Sequence, residues 1–229
     1  MTETPTTGIA RLLNEARFNV PQNQRDYSWT EDHIETLFSD IQSAMTDGAS
    51  DYFIGLMVFM PSTDRQFTIL DGQQRIVTTI LILAAIRTWL KARDFKEDAE
   101  QIQRDYIAER PLGEREYTPR VQLNQYNHPI FQRYVVTESP DEDVRDELKK
   151  QKKHSPNKAL LEAILFCRRR IAEIAKNAGA APEKALFDMV NFLQRNVKVV
   201  RLHVPNESNA FTVFETLNDR GLDTLRGGR

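Results

Sequence analysis

Two short polar clusters interrupt an otherwise ordinary globular sequence, the first suited to holding phosphate and the second to stacking bases or sugar. The first is Asp71-Gly72-Gln73-Gln74-Arg75, set between the strand-like segment 66–70 and the apolar run Ile76–Ile86. At a helix start such a segment offers unpaired backbone N–H groups and the positive end of the helix dipole, which together attract phosphate. Gly72 allows close backbone approach, Gln73 and Gln74 add amide donors, and the Arg75 guanidinium forms a fork matched to two phosphate oxygens. Asp71 could cap the helix, or hold a hydrated magnesium ion beside a triphosphate. The spacing matches neither a Walker A loop nor G-x-G-x-x-G. A plainer alternative makes Asp71 a cap and Arg75 a surface charge. Two adjacent glutamines and an arginine beside a nearly all-apolar helix are hard to explain as packing.

The second cluster is Val20-Pro-Gln-Asn-Gln-Arg-Asp-Tyr-Ser-Trp29. Read as extended chain, it places Arg25, Tyr27 and Trp29 on one side and Gln22, Gln24, Asp26 and Ser28 on the other. A cation among aromatics makes a surface on which bases can stack. The competing role for Tyr27 and Trp29 is to anchor the following helix, with Trp29 and Ile34 at hydrophobic-staple positions. The anchoring role does not account for Gln24 and Arg25. Further basic residues lie at Lys149, Lys150, Lys152 and Lys153, in a stretch (137–157) that is acidic first and basic second. Such a stretch is read as a solvated flexible linker ahead of a nucleic-acid contact. The basic turn Arg168–Arg170 is likewise read as a solvated helix face before a DNA contact.

The elements that position these clusters follow from periodicity. The chain has 229 residues, 40% hydrophobic and 28% charged, with a net charge of −2. That fits one core plus a helical appendage, and leaves any DNA contact to a local patch. One cysteine, Cys167, excludes an internal disulfide, and its helix context without a neighbouring base excludes a nucleophile. The histidines at 33, 128, 154 and 203 are scattered and form no metal-ligand spacing. The run Ile76–Leu83 is too short to span a bilayer and the amino terminus carries no signal pattern, so the expectation is a cytoplasmic protein.

Helices are expected from Ile9, from Thr30 as N-cap, over Gln73 to about Arg93, around Asp98–Glu109, from Pro129, from Ser155-Pro156 to Gly179, from Pro182, and over Asn206–Asp219. Phe18–Arg25 is expected to be extended, and strands are expected over Tyr52–Met60, Gln66–Leu70 and Val197–Val204, the first two forming a hairpin around Pro61–Asp64. This is an α+β chain in which helices outnumber strands. It divides into a core (1–95), a mostly helical insertion (96–195) and a returning strand and helix (196–229).

Four motifs occur in order: Pro21-x-x-Gln24-Arg25-x-Tyr27-x-Trp29, Tyr52-Phe-x-Gly55, Asp71-Gly-Gln-Gln-Arg75-x-x-Thr78-Thr79 and Phe214-Glu-x-Leu-Asn218-x-Arg220-Gly221. Together they resemble the N-terminal domain of GmrSD-type restriction endonucleases, of ParB/sulfiredoxin-like fold, related to phosphorothioate-sensing restriction factors. The resemblance implies nucleoside triphosphate binding (GTP, UTP, CTP or ATP) and Mg2+-dependent hydrolysis. Phosphate contact then falls to Gly72, Gln73, Gln74 and Arg75, and Asp71 organises metal or water, with Asp71 and Arg75 as the catalytic pair. Gln24 and Arg25 line the same pocket, and Asn218 and Arg220 approach from the last helix. Tyr27, Lys152 and Lys153 are the candidates for nucleic-acid contact. Asn23 stands where tyrosine is frequent in the family and Asp26 where proline is, departures that bear on pocket shape.

The implied partners are DNA, modified or plain, and an HNH-type nuclease domain or subunit; homo-oligomerisation stays open. Relatives usually continue into such a nuclease, and its metal ligands are absent here, so DNA cleavage is not expected of this chain alone. The expected function is a nucleotide-hydrolysing sensor that regulates a nuclease. Two alternatives are a modified-DNA reader without nucleotide turnover and a non-catalytic interaction protein.

Overall fold

The computed structural model describes residues 6–48, 50–63 and 65–206. A central six-stranded mixed sheet is built from β1 (Thr6–Gly8), β2 (Arg17–Asn19), β3 (Tyr52–Thr63), β4 (Gln66–Asp71), β7 (Val121–Gln122) and β8 (Val197–His203). Its order is β1-β8-β3-β4-β2-β7. β3 and β4 form the expected antiparallel hairpin, although β3 continues through Pro61 to Thr63. β8 lies parallel to β3 on its other side, from Tyr52↔Val197 to Phe59↔His203. β5 (Ala108–Glu109) and β6 (Thr118–Pro119) make a separate two-stranded ladder. The fold is α+β.

The helices are α1 (Ile9–Glu15), α2 (Glu31–Thr46), α3 (Gln73–Lys91), α4 (Lys96–Ile102), α5 (Asn127–Phe131), α6 (Asp141–Lys150), α7 (Lys158–Asn177) and α8 (Pro182–Arg195). π-helical turns at Gln103–Ile107 and Gln132–Val136 extend α4 and α5. α3 is the axis of the molecule. Sixteen of its 19 residues are buried, because α1, α4, α7 and α8 all pack around it. A helix apolar on every side needs neighbours on every side, which is why the run Ile76–Ile86 lies inside. One core cluster extends from Ile9 to Val199 and takes in residues from all parts of the chain. Among the described residues, no helix is long and apolar enough to cross a membrane.

Several local expectations need correction. Residues 18–25 are not extended throughout: β2 ends at Asn19 and the chain turns, Gln24 N–H donating to Pro21 O at 3.1 Å. The stretch 137–157 is not a flexible linker, since α6 occupies its middle. That helix carries Asp141, Glu142 and Asp143 in its first turn and Lys149 and Lys150 in its last, the favoured order for the helix dipole. Its basic residues are engaged by Asp141, Asp146 and Glu147 one turn back, while Val144 packs into the core. Ser155-Pro156 forms a turn and α7 begins at Lys158, with Asn157 as N-cap. The arginines 168–170 are not a free basic face. Arg168 binds Asp141 and the Tyr134 and Ser139 carbonyls, while Arg169 and Arg170 tie α7 to Glu31 and Glu35 of α2. The helix expected over Asn206–Asp219 falls almost wholly outside the described residues.

Candidate functional site

The strand-to-helix junction is formed as the sequence requires. β4 ends at Asp71, paired with Val58 of β3. Gly72 then turns the chain with φ 98 and serves as N-cap of α3. A side chain here would be strained by that φ, and its Cβ would stand 2.6 Å from Met57 Cγ. The first intrahelical bond runs from Ile76 N–H to Gly72 O at 3.0 Å. The amides of residues 73–75 therefore precede the helical ladder and belong to the unpaired set at a helix start.

A cavity of about 140 Å³ faces this junction, lined by Gln24, Arg25, Trp29, Leu70, Asp71, Gly72, Gln73, Gln74 and Arg75. The structure thus brings the two polar clusters together. Their side chains divide the work differently from the simplest expectation. Gln73 Nε2 donates to Arg25 O at 3.1 Å, and Gln74 Nε2 to Asp26 O at 3.2 Å. Gln74 Oε1 accepts from Ser28 N–H at 3.0 Å. The adjacent glutamines strap the 25–28 segment across the helix start. Gln24 Nε2 completes the strap by donating to Leu70 O at 3.2 Å.

Arg75 is also tethered. Nη2 pairs with Asp71 Oδ2 at 2.9 Å, and Nη1 donates to Ile54 O at 3.1 Å. Ile54 lies at a bulge in the β3–β8 pairing, between Phe53 and Gly55. A Cβ at Gly55 would overlap Arg75 Nη1, so the glycine of Tyr52-Phe-x-Gly55 makes room for the arginine of the later motif. Arg25, by contrast, is exposed and its side chain has no hydrogen bond or ion pair among the described residues. Among the described residues it is the unengaged cation of the cavity. Trp29 closes one side, its ring stacked on His33 with centroids 6.0 Å apart.

Tyr27 does not serve as a stacking platform. It is 1% exposed, with its hydroxyl 2.8 Å from Thr78 Oγ1 and its N–H donating to Asn127 Oδ1 at 2.7 Å. Burial raises its phenol well above the ordinary range. The correction follows from the turn at 21–24, which breaks the alternation and sends Tyr27 inward while Arg25 stays out. Lys152 and Lys153 are exposed in the α6–α7 connection and do not line the cavity. Asn218 and Arg220 lie outside the described residues.

Asn124 and Asn127 are site-supporting residues that sequence reasoning missed. Both are buried. Asn124 Nδ2 donates to Asp26 Oδ1 at 2.8 Å, and Asn127 also binds Pro156 O and Asn157 Oδ1. Two asparagines bracketing a turn before an apolar helix were the available signal. Among the described residues no group of three or more His, Cys, Asp or Glu side chains could hold a metal ion. Cys167 is fully buried, and burial raises its thiol pKa far above the ordinary value.

The chain is an α+β domain with a small polar cavity at the start of its central helix. The sequence profile described as GmrSD restriction endonuclease, N-terminal domain, matches residues 9–225. The chain belongs to that family, which places it in a restriction system. No curated protein matches it.

Proposed function

We propose that the cavity at the start of α3 holds the phosphate end of a nucleoside triphosphate with Mg2+. The chain then acts as the nucleotide-hydrolysing sensor of a modification-dependent anti-phage restriction system, coupling nucleotide and DNA recognition to an HNH-type nuclease domain. The observation that supports this best is Arg25, an unengaged guanidinium facing a cavity whose other wall is a helix N-terminus. Arg75, pinned between Asp71 and Ile54, supplies a second cation in a fixed place.

The residues present fit a magnesium–triphosphate. Mg2+ keeps most of its waters and uses one or two carboxylates together with substrate phosphates, and Asp71 is a half-exposed carboxylate of which Arg75 engages one oxygen. When bound, the ion neutralises developing phosphate charge. Asp71 orients its water shell or the attacking water, Arg25 and Arg75 bind phosphate oxygens, and Gln24, Gln73 and Gln74 hold the strap that carries Arg25. Asn218 and Arg220 keep the approach role that the family resemblance gives them, and Lys152 and Lys153 remain the peripheral DNA contacts.

A second reading draws on the cavity's size. About 140 Å³ lies below the ~300–1,000 Å³ of sites that enclose a whole drug-sized ligand. It suits a phosphate group, either the tail of a nucleotide or a modified phosphate of DNA. One experiment separates them: melting of wild type and Arg25→Ala with each of the four triphosphates and magnesium. Nucleotide binding raises the wild-type midpoint by about 5–10 °C at ~100-fold excess over Kd, and the rise is lost in Arg25→Ala. Flat curves for all four, with Arg25-dependent binding of modified duplex, would establish the DNA-reading alternative instead.

A further inference from the structure

At the opposite end of α3 a second cavity, of about 180 Å³, opens between α3, α4 and residues 136–138. Its innermost cation, Arg87, lies about 21 Å from Gln73 at the helical rise per residue. Arg87 is 3% exposed, the one charged residue so deeply buried among the described residues. Its Nη1 donates to Gln103 Oε1 and to Val135 O. Nε and Nη2 have no hydrogen-bond partner among the described residues. The Glu138 carboxylate stands 3.9 Å from Nε, beyond hydrogen-bond length.

A buried guanidinium that has a carboxylate nearby but no hydrogen bond along one edge is unfavourable unless something completes it. Burial lowers its pKa to about 10, with Glu138 opposing, so it keeps its proton at neutral pH. Lys91 and Lys96 add two ammonium groups at the cavity mouth, 59% and 69% exposed, Lys96 paired with Asp94 at 3.2 Å and Glu100 lining the same cavity. Glu138 reaches into this group from a left-handed backbone, φ 64, that few residues other than glycine adopt. It pairs with Lys91 at 2.7 Å. Burial alone would raise its carboxyl, but Arg87 and Lys91 hold it below its ordinary value.

We infer that this cavity is a second anion site, which takes the phosphoryl group of a small phosphorylated molecule, with Glu138 as its built-in competitor. With Glu138 displaced, the buried Nε/Nη2 edge of Arg87 would offer two parallel donors to two oxygens, and Lys91 and Lys96 would meet the remaining charge. Glu138 lies among the cations that those oxygens require. The volume admits a tetrahedral oxyanion and leaves the organic part of the ligand at the mouth. None of this depends on how the first cavity is used.

The test uses the full chain with inorganic phosphate as probe, against chloride at matched ionic strength, read by melting midpoint and calorimetric titration. Wild type should show a saturable phosphate-dependent rise that persists in Arg25→Ala, so that it cannot come from the first cavity. Lys96→Ala, an exposed substitution, should weaken phosphate about fivefold or more, and Glu138→Gln should tighten it about tenfold by removing the like charge. The inference is overturned by a wild-type response no greater than that to chloride. It is equally overturned by a response that vanishes in Arg25→Ala but survives in Lys96→Ala. Should Glu138→Gln fail to fold, Lys96→Ala and Arg25→Ala decide the matter; should it fold without tightening phosphate, Glu138 is a structural partner and the competitor role is rejected.

Discussion

Arg75 Nη1 occupies the space that a side chain at position 55 would need, so Gly55 and Arg75 are sterically coupled across β3. Gly55→Ala must bear both the φ of 126 and the displaced guanidinium. The expected loss is about 1–3 kcal/mol in urea unfolding. In a double-mutant cycle with Arg75→Ala the two losses should fall short of additivity by ~0.5 kcal/mol or more. Strict additivity would mean that backbone strain alone sets the cost.

Arg25 and Arg75 should separate binding from stability. Arg25→Ala should lie within about 0.5 kcal/mol of wild type, as for an exposed side chain with no hydrogen bond or ion pair among the described residues. Arg75→Ala should cost about 1–3 kcal/mol, because Ile54 O and Asp71 lose a charged donor. Both should abolish the nucleotide-dependent midpoint shift. Equal destabilisation of the two variants would contradict the assignment of Arg25 as the unengaged cation.

Tyr27→Phe should destabilise by about 1–2 kcal/mol in chemical denaturation, since it leaves the buried Thr78 hydroxyl without its partner. Binding to any duplex should not change. A loss of DNA affinity without a loss of stability would restore the stacking role.

Burial lowers the pKa of His128, whose Nδ1 has no hydrogen-bond partner among the described residues. The folded chain therefore resists a proton that the unfolded chain accepts below about pH 6.5. This contribution to stability is complete above that value and declines as pH falls through it. Urea midpoints should drop between about pH 7.5 and 5, and His128→Gln should flatten part of the drop. His203, also lowered by burial and by Arg201, retains the rest. An unchanged slope in the variant would remove His128 from the account.

Cys167, fully buried in α7, should resist a thiol reagent in the native state and react fully in denaturant. Native-state labelling should then follow opening of the fold, measured by its dependence on denaturant. Rapid labelling without denaturant would place the thiol at the surface.

Local signals made much of the architecture legible. Thr30 marks the start of α2, Pro182 that of α8, and Ile76–Ile86 the buried α3, because caps and periodicity act within a few residues. α6 was hidden because it buries only Val144 and holds its charges in intrahelical pairs, a composition shared with solvated linkers. In the site, sequence identified the cavity-lining residues but not their tasks. Gln73 and Gln74 find their acceptors 48 residues away, and Asn127 meets Tyr27 across 100. Pairings of that range depend on topology, which neither propensity nor spacing encodes.

The parallel match between β3 and β8 sets a condition on how the chain is born. Tyr52 must wait for Val197, so during synthesis the middle of the sheet keeps an open edge until nearly all of the described chain has been made. Such distant pairing slows folding and leaves hydrogen-bonding groups free to seek other strands. A ribosome stalled before residue 197 would therefore carry a product inclined to stick to its neighbours.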